Sequence, residues 1–243
     1  MPTHRTIAVA ALVVGLVTAG PACGAADEQV VVFAASSLTD AFDRIESDFE
    51  AANPGVDVVV SYGGSSSLVA QVRDGAPVDV LATADLEQMA RAVADRPEPV
   101  TPEVFARNSM VAAVEAGNPM GIAGLEDLAG GPVVVLASPE VPAGAYAVEI
   151  LDCAGVTVEA AYLEPSVRAV ATKIALGEAD AGLVYRTDID DRLDAIDVGP
   201  GCNVSAEYPI VVVSDDPVAR RFVEFVVGSA GQDVLTEIGF VQP

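Results

Sequence analysis

Residues 30–49 read VVVFAASSLTDAFDRIESDF, an apolar run followed at once by apolar residues three and four positions apart. A continuous run such as residues 30–34 is typical of a strand that is buried on both faces. The apolar positions after it predict a helix with one buried face, and they are Leu38, Ala41, Phe42, Ile45 and Phe49. The stretch therefore predicts a strand that leads directly into a helix, the repeating unit of α/β folds.

The same unit recurs on both sides of a proline-rich stretch at residues 96–102. Further strands are predicted at residues 56–61, 78–82, 110–114, 133–137, 160–163, 181–185 and 208–213. Further helices are predicted at residues 68–75, 86–93, 143–151, 167–176, 218–227 and 232–238. This alternation predicts a parallel, doubly wound sheet, and the two series suggest two lobes with a ligand crevice at the strand ends.

Composition narrows the class of protein. The 243 residues include 36 Asp and Glu against 12 Lys and Arg, and the net charge of -24 has the wrong sign for binding nucleic-acid phosphates. Hydrophobic residues make up 51% of the chain, which indicates a packed globule rather than a disordered acidic polymer. The single histidine is His4, so cleavage of the N-terminus would remove Ser-His-Asp and Cys-His catalysis together with every imidazole metal ligand.

The N-terminus has the organisation of an export signal. His4 and Arg5 precede an apolar run at residues 7–19, which is short for a membrane span and is followed by small residues. Two processing sites compete, because ordinary signal peptidase would cut before Asp27 and a lipoprotein peptidase would cut before Cys23. Residues 1–26 are therefore predicted to be a signal peptide, or a lipoprotein signal that leaves a lipid on Cys23. The chain is expected in the periplasm or at the cell surface.

Three cysteines occur in the chain, an odd number that requires an explanation in an exported protein. Cleavage or lipidation of Cys23 leaves Cys153 and Cys202, an even pair in an oxidising compartment. We predict a disulfide between them. The alternative is two separate buried thiols, because free cysteine also packs well in protein cores.

Four predicted helices start with residues suited to binding an anion. Ser37 is placed to cap the first helix, with Asp40 three residues later as in a capping box. Residues 63–67 precede the second helix, residues 142–144 open the third and residues 165–166 open the fourth. Helix starts expose unpaired N–H groups and a partial positive charge, although each start alone is typical of plain capping. Because all four lie at the same end of the strands, together they predict an anion site without a fixed cation.

Short motifs spread over nearly all of the chain after the signal resemble one known family. They are residues 33–41 (FAASSLTDA), 62–68 (YGGSSSL), 75–80 (GAPVDV), 141–147 (VPAGAYA), 182–185 (GLVY) and 208–210 (YPI). In this order they are similar to the periplasmic molybdate-binding proteins of ABC importers. The resemblance implies a two-lobed type II periplasmic binding fold, in which each lobe is a mostly parallel sheet flanked by helices. It assigns residues 27–108 with 206–243 to one lobe and residues 109–205 to the other, with the ligand between them.

The resemblance also implies a set of ligand-binding residues. They are Ser37 and Ser65 through their hydroxyls, Ala143 and Val167 through their backbone N–H groups, and Tyr185. Ser66 is the alternative to Ser65 if the register shifts by one residue. Tyr185 is also open to interpretation as a core aromatic whose hydroxyl reaches solvent. Arg168 and Arg186 adjoin these positions, where they either offset the charge of an anion or pair with surface carboxylates.

The function implied by the resemblance is capture of molybdate or tungstate and delivery to the permease and ATPase subunits of an ABC importer. We accordingly expect a monomer without catalytic activity, resident cofactor or nucleic-acid partner. A protein of the same fold that binds sulfate, phosphate or an organic acid is the main alternative. A hydrolase built on residues 65–67 lacks a histidine base, and a calcium site at residues 188–191 lacks the glycine and distal glutamate of an EF-hand loop. The sequence does not separate molybdate from tungstate.

Overall fold

A computed structural model describes residues 28–199 and 201–243. The predicted signal peptide lies outside these residues, and so do Cys23 and both processing sites. Within the described ranges, every helix is too short or too polar to cross a lipid bilayer.

Strands and helices alternate along most of the chain. The first part contains β1 (Glu28–Ala35), α1 (Thr39–Ala52), β2 (Val56–Gly63), α2 (Ser65–Arg73), β3 (Val80–Ala82), α3 (Leu86–Val93) and β4 (Glu103–Glu115). The second part contains β5 (Val134–Ala137), α4 (Pro142–Ala154), β6 (Tyr162–Glu164), α5 (Val167–Ala175), β7 (Ala181–Tyr185), β8 (Leu193–Asp197), β9 (Ser205–Val212), α6 (Pro217–Val227) and α7 (Ser229–Ile238). Single turns of 3-10 helix occupy residues 36–38, 125–128 and 186–188.

The strands form one continuous sheet in the order β2-β1-β3-β9-β4-β7-β5-β6, with β8 paired to β4. Strand β4 connects two lobes. The first lobe contains β1, β2, β3 and β9 with α1, α2, α3, α6 and α7, and the second contains β5 to β8 with α4 and α5. The predicted α/β fold of two lobes, each with a sheet flanked by helices, is confirmed.

The parallel sheet predicted from the alternation is mixed where the lobes join. Strand β9 is antiparallel to β3, and β4 is antiparallel to β7, β8 and β9. A parallel pair requires a crossover connection, usually a helix, and helices do link the parallel strands β1, β2 and β3. Strand β8 was not predicted, because its sequence LDAID buries only Leu193 and shows no apolar run.

Strand β4 is more than twice as long as predicted. Its first half contains Arg107 and Asn108, which break the apolar pattern from which the strand at residues 110–114 was inferred. Residues 103–109 pair with β9, and residues 110–115 pair with β7 and β8. The lobe boundary predicted between residues 108 and 109 therefore falls inside one continuous strand, at the point where the pairing partner changes.

The core of the first lobe is aromatic. Phe42 and Phe49 on α1 are buried against Phe222 on α6, with ring centroids 6.2 Å and 5.3 Å from it. Full burial of a phenylalanine side chain stabilises a fold by about 1.5–3 kcal/mol. The apolar spacing of α1 thus fixes which face of the helix meets the sheet and holds the helix start beside the end of β1.

A disulfide joins Cys153 and Cys202, whose Cα atoms are 5.5 Å apart. Cys153 lies in the last turn of α4, and Cys202 precedes β9. The bond closes a loop with a sequence separation of 49 residues, which contains all of β6, α5, β7 and β8. It therefore ties the second lobe together at the side where the chain returns to the first lobe.

Candidate functional site

A small cavity of about 10 Å³ lies between the lobes, where β1, β2, β5 and β7 end. Its lining residues are all uncharged, and they are Ala35, Ser36, Ser37, Gly63, Gly64, Ser65, Ala84, Val141, Pro142, Ala143, Val167 and Tyr185. All five residues that the family resemblance implied as ligand-binding are among them. A groove of about 570 Å³ lies elsewhere, along residues 96–101 and 210–215, and contains none of the five.

Ser37 does not cap the first helix, so the predicted capping box is wrong. Residues 36–38 form a turn of 3-10 helix, α1 begins at Thr39, and no side chain caps α1. The Ser37 Oγ instead lies 3.0 Å from the phenolic oxygen of Tyr208. Ser37 is buried, so its hydroxyl is available to a ligand in the cavity rather than to its own helix.

Ser65 is the first residue of α2 and is 1% exposed. Its Oγ accepts a hydrogen bond from the Ala84 N–H at 3.1 Å. A serine hydroxyl donates one hydrogen and accepts up to two, so the hydrogen of Ser65 remains available. Ser66 is only half-buried and does not line the cavity, so the structure places Ser65 at the site.

Ala143 and Val167 lie in the first turns of α4 and α5. Pro142 has no N–H, so Ala143 carries the first N–H of α4. Ser166 caps α5 and accepts from the Ala169 N–H at 3.3 Å, which leaves Val167 as the first helical residue. First-turn N–H groups have no partner inside their helix and carry part of the positive helix dipole. The N–H groups of Ala143 and Val167 are therefore suited to donating hydrogen bonds to an anion.

Tyr185 ends β7 and is 1% exposed. Its hydroxyl has no hydrogen-bond partner among the described residues. The interpretation of Tyr185 as a core aromatic with its hydroxyl in solvent is therefore wrong. Burial raises the pKa of Tyr185 well above its usual value, so the group stays protonated and can donate. A buried hydroxyl without a partner at the wall of a cavity indicates that a ligand accepts from it.

The nearest arginine is engaged with carboxylates. Arg168 on α5 pairs with Asp40 on α1 at 2.8 Å, across the two lobes, and lies 3.6 Å from Asp188. Arg186 pairs with Asp197. Neither arginine lines the cavity. Of the two roles considered for these arginines, pairing with carboxylates is the one that both have. The cavity wall therefore contains hydrogen-bond donors but no cationic side chain.

Asp188 is buried beneath Tyr185 and gives the protein a distinctive pH dependence. Its carboxylate accepts from the Tyr185 N–H at 3.3 Å. Burial raises the pKa of Asp188 to about 7, although Arg168 opposes the shift and Asp40 adds to it. In the unfolded chain an aspartate titrates near pH 3.9, so between about pH 4 and pH 7 the folded state holds the extra proton.

We therefore predict that the stability contributed by Asp188 is present below about pH 4 and is lost as the pH rises to about 7. Asp188→Asn cannot titrate and serves as the reference. Denaturant unfolding of both ligand-free proteins should show the wild type losing stability relative to Asp188→Asn across this range. A difference between the two that stays constant or grows with pH would contradict the assignment.

Three contacts at the site were not predicted from the sequence. Tyr208 was read only as part of a strand and of the motif YPI, and its contact with Ser37 spans 171 residues. Ala84 acts through its backbone N–H, which leaves no signature in the sequence. Gly64 was interpreted as a glycine that lets the backbone approach a ligand, but its contact with the other lobe was not predicted: a Cβ there would lie 2.2 Å from the carbonyl oxygen of Pro165.

The cavity wall presents hydrogen-bond donors. Two hydroxyls, a phenol and the N–H groups of two helix starts surround one cavity without a carboxylate in its wall. Among the described residues, no cluster of three or more His, Cys, Asp or Glu could hold a metal ion. The site therefore matches a small anion whose oxygens are all hydrogen-bond acceptors.

Comparisons with known proteins agree with this geometry. The family model described as bacterial extracellular solute-binding protein matches residues 30–241. The molybdate-binding protein ModA of Mycobacterium tuberculosis (strain ATCC 25618 / H37Rv) is 38% identical over 232 residues, which cover 93% of this chain and 88% of that protein.

Two solved structures share the fold. One is the substrate-binding domain of a putative molybdenum ABC transporter from Clostridium difficile, with a TM-score of 0.64 and 26% identity over 88% of this chain and 99% of that chain. The other is the periplasmic molybdate-binding protein of Azotobacter vinelandii, with a TM-score of 0.76 and 19% identity over the same shares. The family expected from the sequence motifs is confirmed. The chain belongs to the bacterial extracellular solute-binding proteins and is homologous to the ModA molybdate-binding proteins.

Proposed function

We propose that this protein captures molybdate or tungstate outside the cytoplasm and delivers it to the permease and ATPase subunits of an ABC importer. The observation that carries the proposal is the uncharged cavity between the lobes, in which the buried Tyr185 hydroxyl has no partner among the described residues. The similarity to ModA proteins over nearly the whole chain supports the same ligand.

The donor set explains how an acidic protein holds a dianion. Molybdate is fully deprotonated at neutral pH, so every oxygen accepts hydrogen bonds and none donates. A wall that contained a carboxylate would repel it, whereas hydroxyls and backbone N–H groups each donate to it. Hydrogen bonds to charged groups contribute about 1.5–3 kcal/mol each, so several of them suffice for tight binding.

The other expected properties follow from the same proposal. The protein carries out no reaction, needs no resident cofactor and works as a monomer. Its family is extracellular, which fits an exported chain. Lipidation of Cys23 stays a prediction of the sequence, because that residue lies outside the described part of the chain.

Sulfate and phosphate are the rival ligands, since both are tetrahedral oxyanions. Phosphate carries at least one proton at neutral pH and therefore needs a hydrogen-bond acceptor, which the cavity wall supplies poorly. Sulfate is fully deprotonated at neutral pH, so all of its oxygens accept hydrogen bonds. It differs from molybdate mainly in size. An organic acid would need apolar room beyond the small cavity seen between the lobes.

Calorimetric titration of the mature protein with molybdate, tungstate, sulfate and phosphate tests the proposal. We expect one-to-one binding of molybdate and tungstate and much weaker binding of the other two. A hundredfold excess over the dissociation constant should stabilise the fold by about 2.7 kcal/mol. Equal affinity for sulfate and molybdate, or no binding of either, would remove the proposed selectivity.

Ser37→Ala is predicted to weaken molybdate binding by about ten- to a hundredfold, because one hydrogen bond to a charged ligand is lost. It should also lower the free energy of unfolding by about 1–3 kcal/mol, since the buried Tyr208 hydroxyl loses its partner. Ser66→Ala is the matched control, because Ser66 is half-buried and does not line the cavity. Calorimetry that gives Ser37→Ala the affinity of the control would remove Ser37 from the site.

A further inference from the structure

Tyr208 lies on β9 directly behind Ser37. Its side chain is fully buried, and its ring packs against Phe105, Tyr185 and Phe240 with centroids 5.3–6.5 Å away. Burial raises the pKa of Tyr208 well above its usual value, although Ser37 and Asn108 lower it in part. The phenol therefore keeps its hydrogen, and that hydrogen needs an acceptor.

The surroundings of Tyr208 decide which way its hydrogen bond to Ser37 runs. Ser37 Oγ lies 3.0 Å from the phenolic oxygen and is its one hydrogen-bond partner among the described residues; by distance alone, either atom could donate. Asn108 makes no hydrogen bond to the phenol among the described contacts, since its amide nitrogen donates to Thr187 Oγ1 at 2.8 Å and its amide oxygen accepts from the Ser109 N–H at 2.9 Å. If Ser37 donated to Tyr208, the phenol hydrogen would be buried without an acceptor, which is unfavourable. Tyr208 therefore donates and Ser37 accepts.

This direction leaves the hydrogen of Ser37 for the cavity. A serine hydroxyl has one hydrogen, and no group in the described residues accepts it. Ser65 is arranged in the same way, because the Ala84 N–H can only donate to its Oγ. At each serine, a group of the protein donates to the hydroxyl oxygen: the Tyr208 hydroxyl at Ser37 and the Ala84 N–H at Ser65. The hydrogen of each serine hydroxyl is therefore available to a ligand.

We infer that Tyr208 is a positioning residue of the anion site: its hydroxyl donates to Ser37 and thereby directs the Ser37 hydrogen toward the bound oxyanion. The inference rests on the proposed function, since it assigns Tyr208 a part in binding that same ligand. The benefit is preorganisation, because a hydroxyl that is already oriented loses less freedom on binding. The chain of two hydrogen bonds also polarises the Ser37 hydroxyl and strengthens its bond to the anion.

A double-mutant cycle with molybdate tests the inference by calorimetry. Tyr208→Phe keeps the packed ring and removes only the hydroxyl, and we expect it to weaken binding about tenfold. In the Ser37→Ala background the same substitution should change affinity by less than about twofold, because there is no serine hydrogen left to direct. Tyr62→Phe is the control, since it removes the hydroxyl of another tyrosine, bonded to Asp43 at 2.6 Å, that does not line the cavity.

The stability of the ligand-free variants provides a second measurement. If Tyr208 donates to Ser37, Ser37→Ala leaves the phenol hydrogen unpaired, and the double variant should recover part of the lost stability. Wild-type affinity in Tyr208→Phe, or equal losses in both backgrounds, would overturn the positioning role alone. Wild-type protein that fails to bind molybdate would overturn the proposed function and this role with it.

Discussion

Replacement of Gly64 by alanine is expected to weaken oxyanion binding by more than about a hundredfold, because one lobe loses its hydrogen bonds to the ligand. Gly64 lies between β2 and α2 in the first lobe, and Pro165 precedes α5 in the second lobe. A Cβ at Gly64 would lie 2.2 Å from the carbonyl oxygen of Pro165, far inside contact distance. Backbone cannot yield as a flexible side chain does, so the lobes must stand further apart.

The separation of the lobes is what weakens binding. Ser37 and Ser65 belong to the first lobe, whereas Ala143, Val167 and Tyr185 belong to the second. An anion held by one set loses its bonds to the other when the lobes separate, and each such bond contributes about 1.5–3 kcal/mol. The backbone at Gly64 has φ −63° and ψ 133°, a conformation that alanine adopts readily. Any effect of Gly64→Ala therefore comes from the clash of the added Cβ with Pro165 and not from backbone strain.

Gly144→Ala is the matched control for Gly64→Ala. A Cβ at Gly144 would lie 2.0 Å from the carbonyl oxygen of Ser138, which belongs to the same lobe. Opening the lobes cannot relieve that clash, so Gly144→Ala should lower the stability of the ligand-free protein. Gly64→Ala should leave ligand-free stability near the wild-type value. Denaturant unfolding and calorimetry measure the two effects, and wild-type affinity in Gly64→Ala would disprove the role of this contact.

Removal of the disulfide should have the largest effect on stability. The Cys153→Ser, Cys202→Ser double variant is expected to have a free energy of unfolding about 4 kcal/mol lower than the wild type. Without the bond, a loop of this length gains conformational freedom in the unfolded chain. Neither cysteine lines the cavity, so affinity for molybdate should change by less than about twofold, the usual result for independent sites.

Urea unfolding with and without reductant measures the contribution of the disulfide. Reduced wild-type protein should match the double variant, and thiol labelling of the unfolded, unreduced protein should find Cys153 and Cys202 blocked. Equal stability of the oxidised wild type and the double variant would show that the bond contributes nothing to folding.

Much of the fold could be predicted from local pattern. The patterns of β1 and α1 are both visible within twenty residues. A strand buried on both faces gives a continuous apolar run, whereas a helix buried on one face gives apolar residues three and four positions apart. Helix α3 was predicted at its observed bounds. The first half of β4 and all of β8 were missed, because polar residues at the junction of the lobes hide the strand pattern.

The sequence by itself determined the α/β class and the approximate positions of the helices and, through its motifs, pointed to five of the twelve residues that line the cavity. The fold class and the helices depend on neighbours in the chain, so spacing and residue type are enough to locate them, whereas the five residues were implied by the family resemblance. Only the tertiary structure decided that Ser37 bonds to Tyr208 instead of capping α1, that Ala84 donates to Ser65, and that Gly64 meets Pro165. Each of these contacts joins residues far apart in sequence, and hydrogen-bond direction and contact distance exist only once the strands and lobes are packed together.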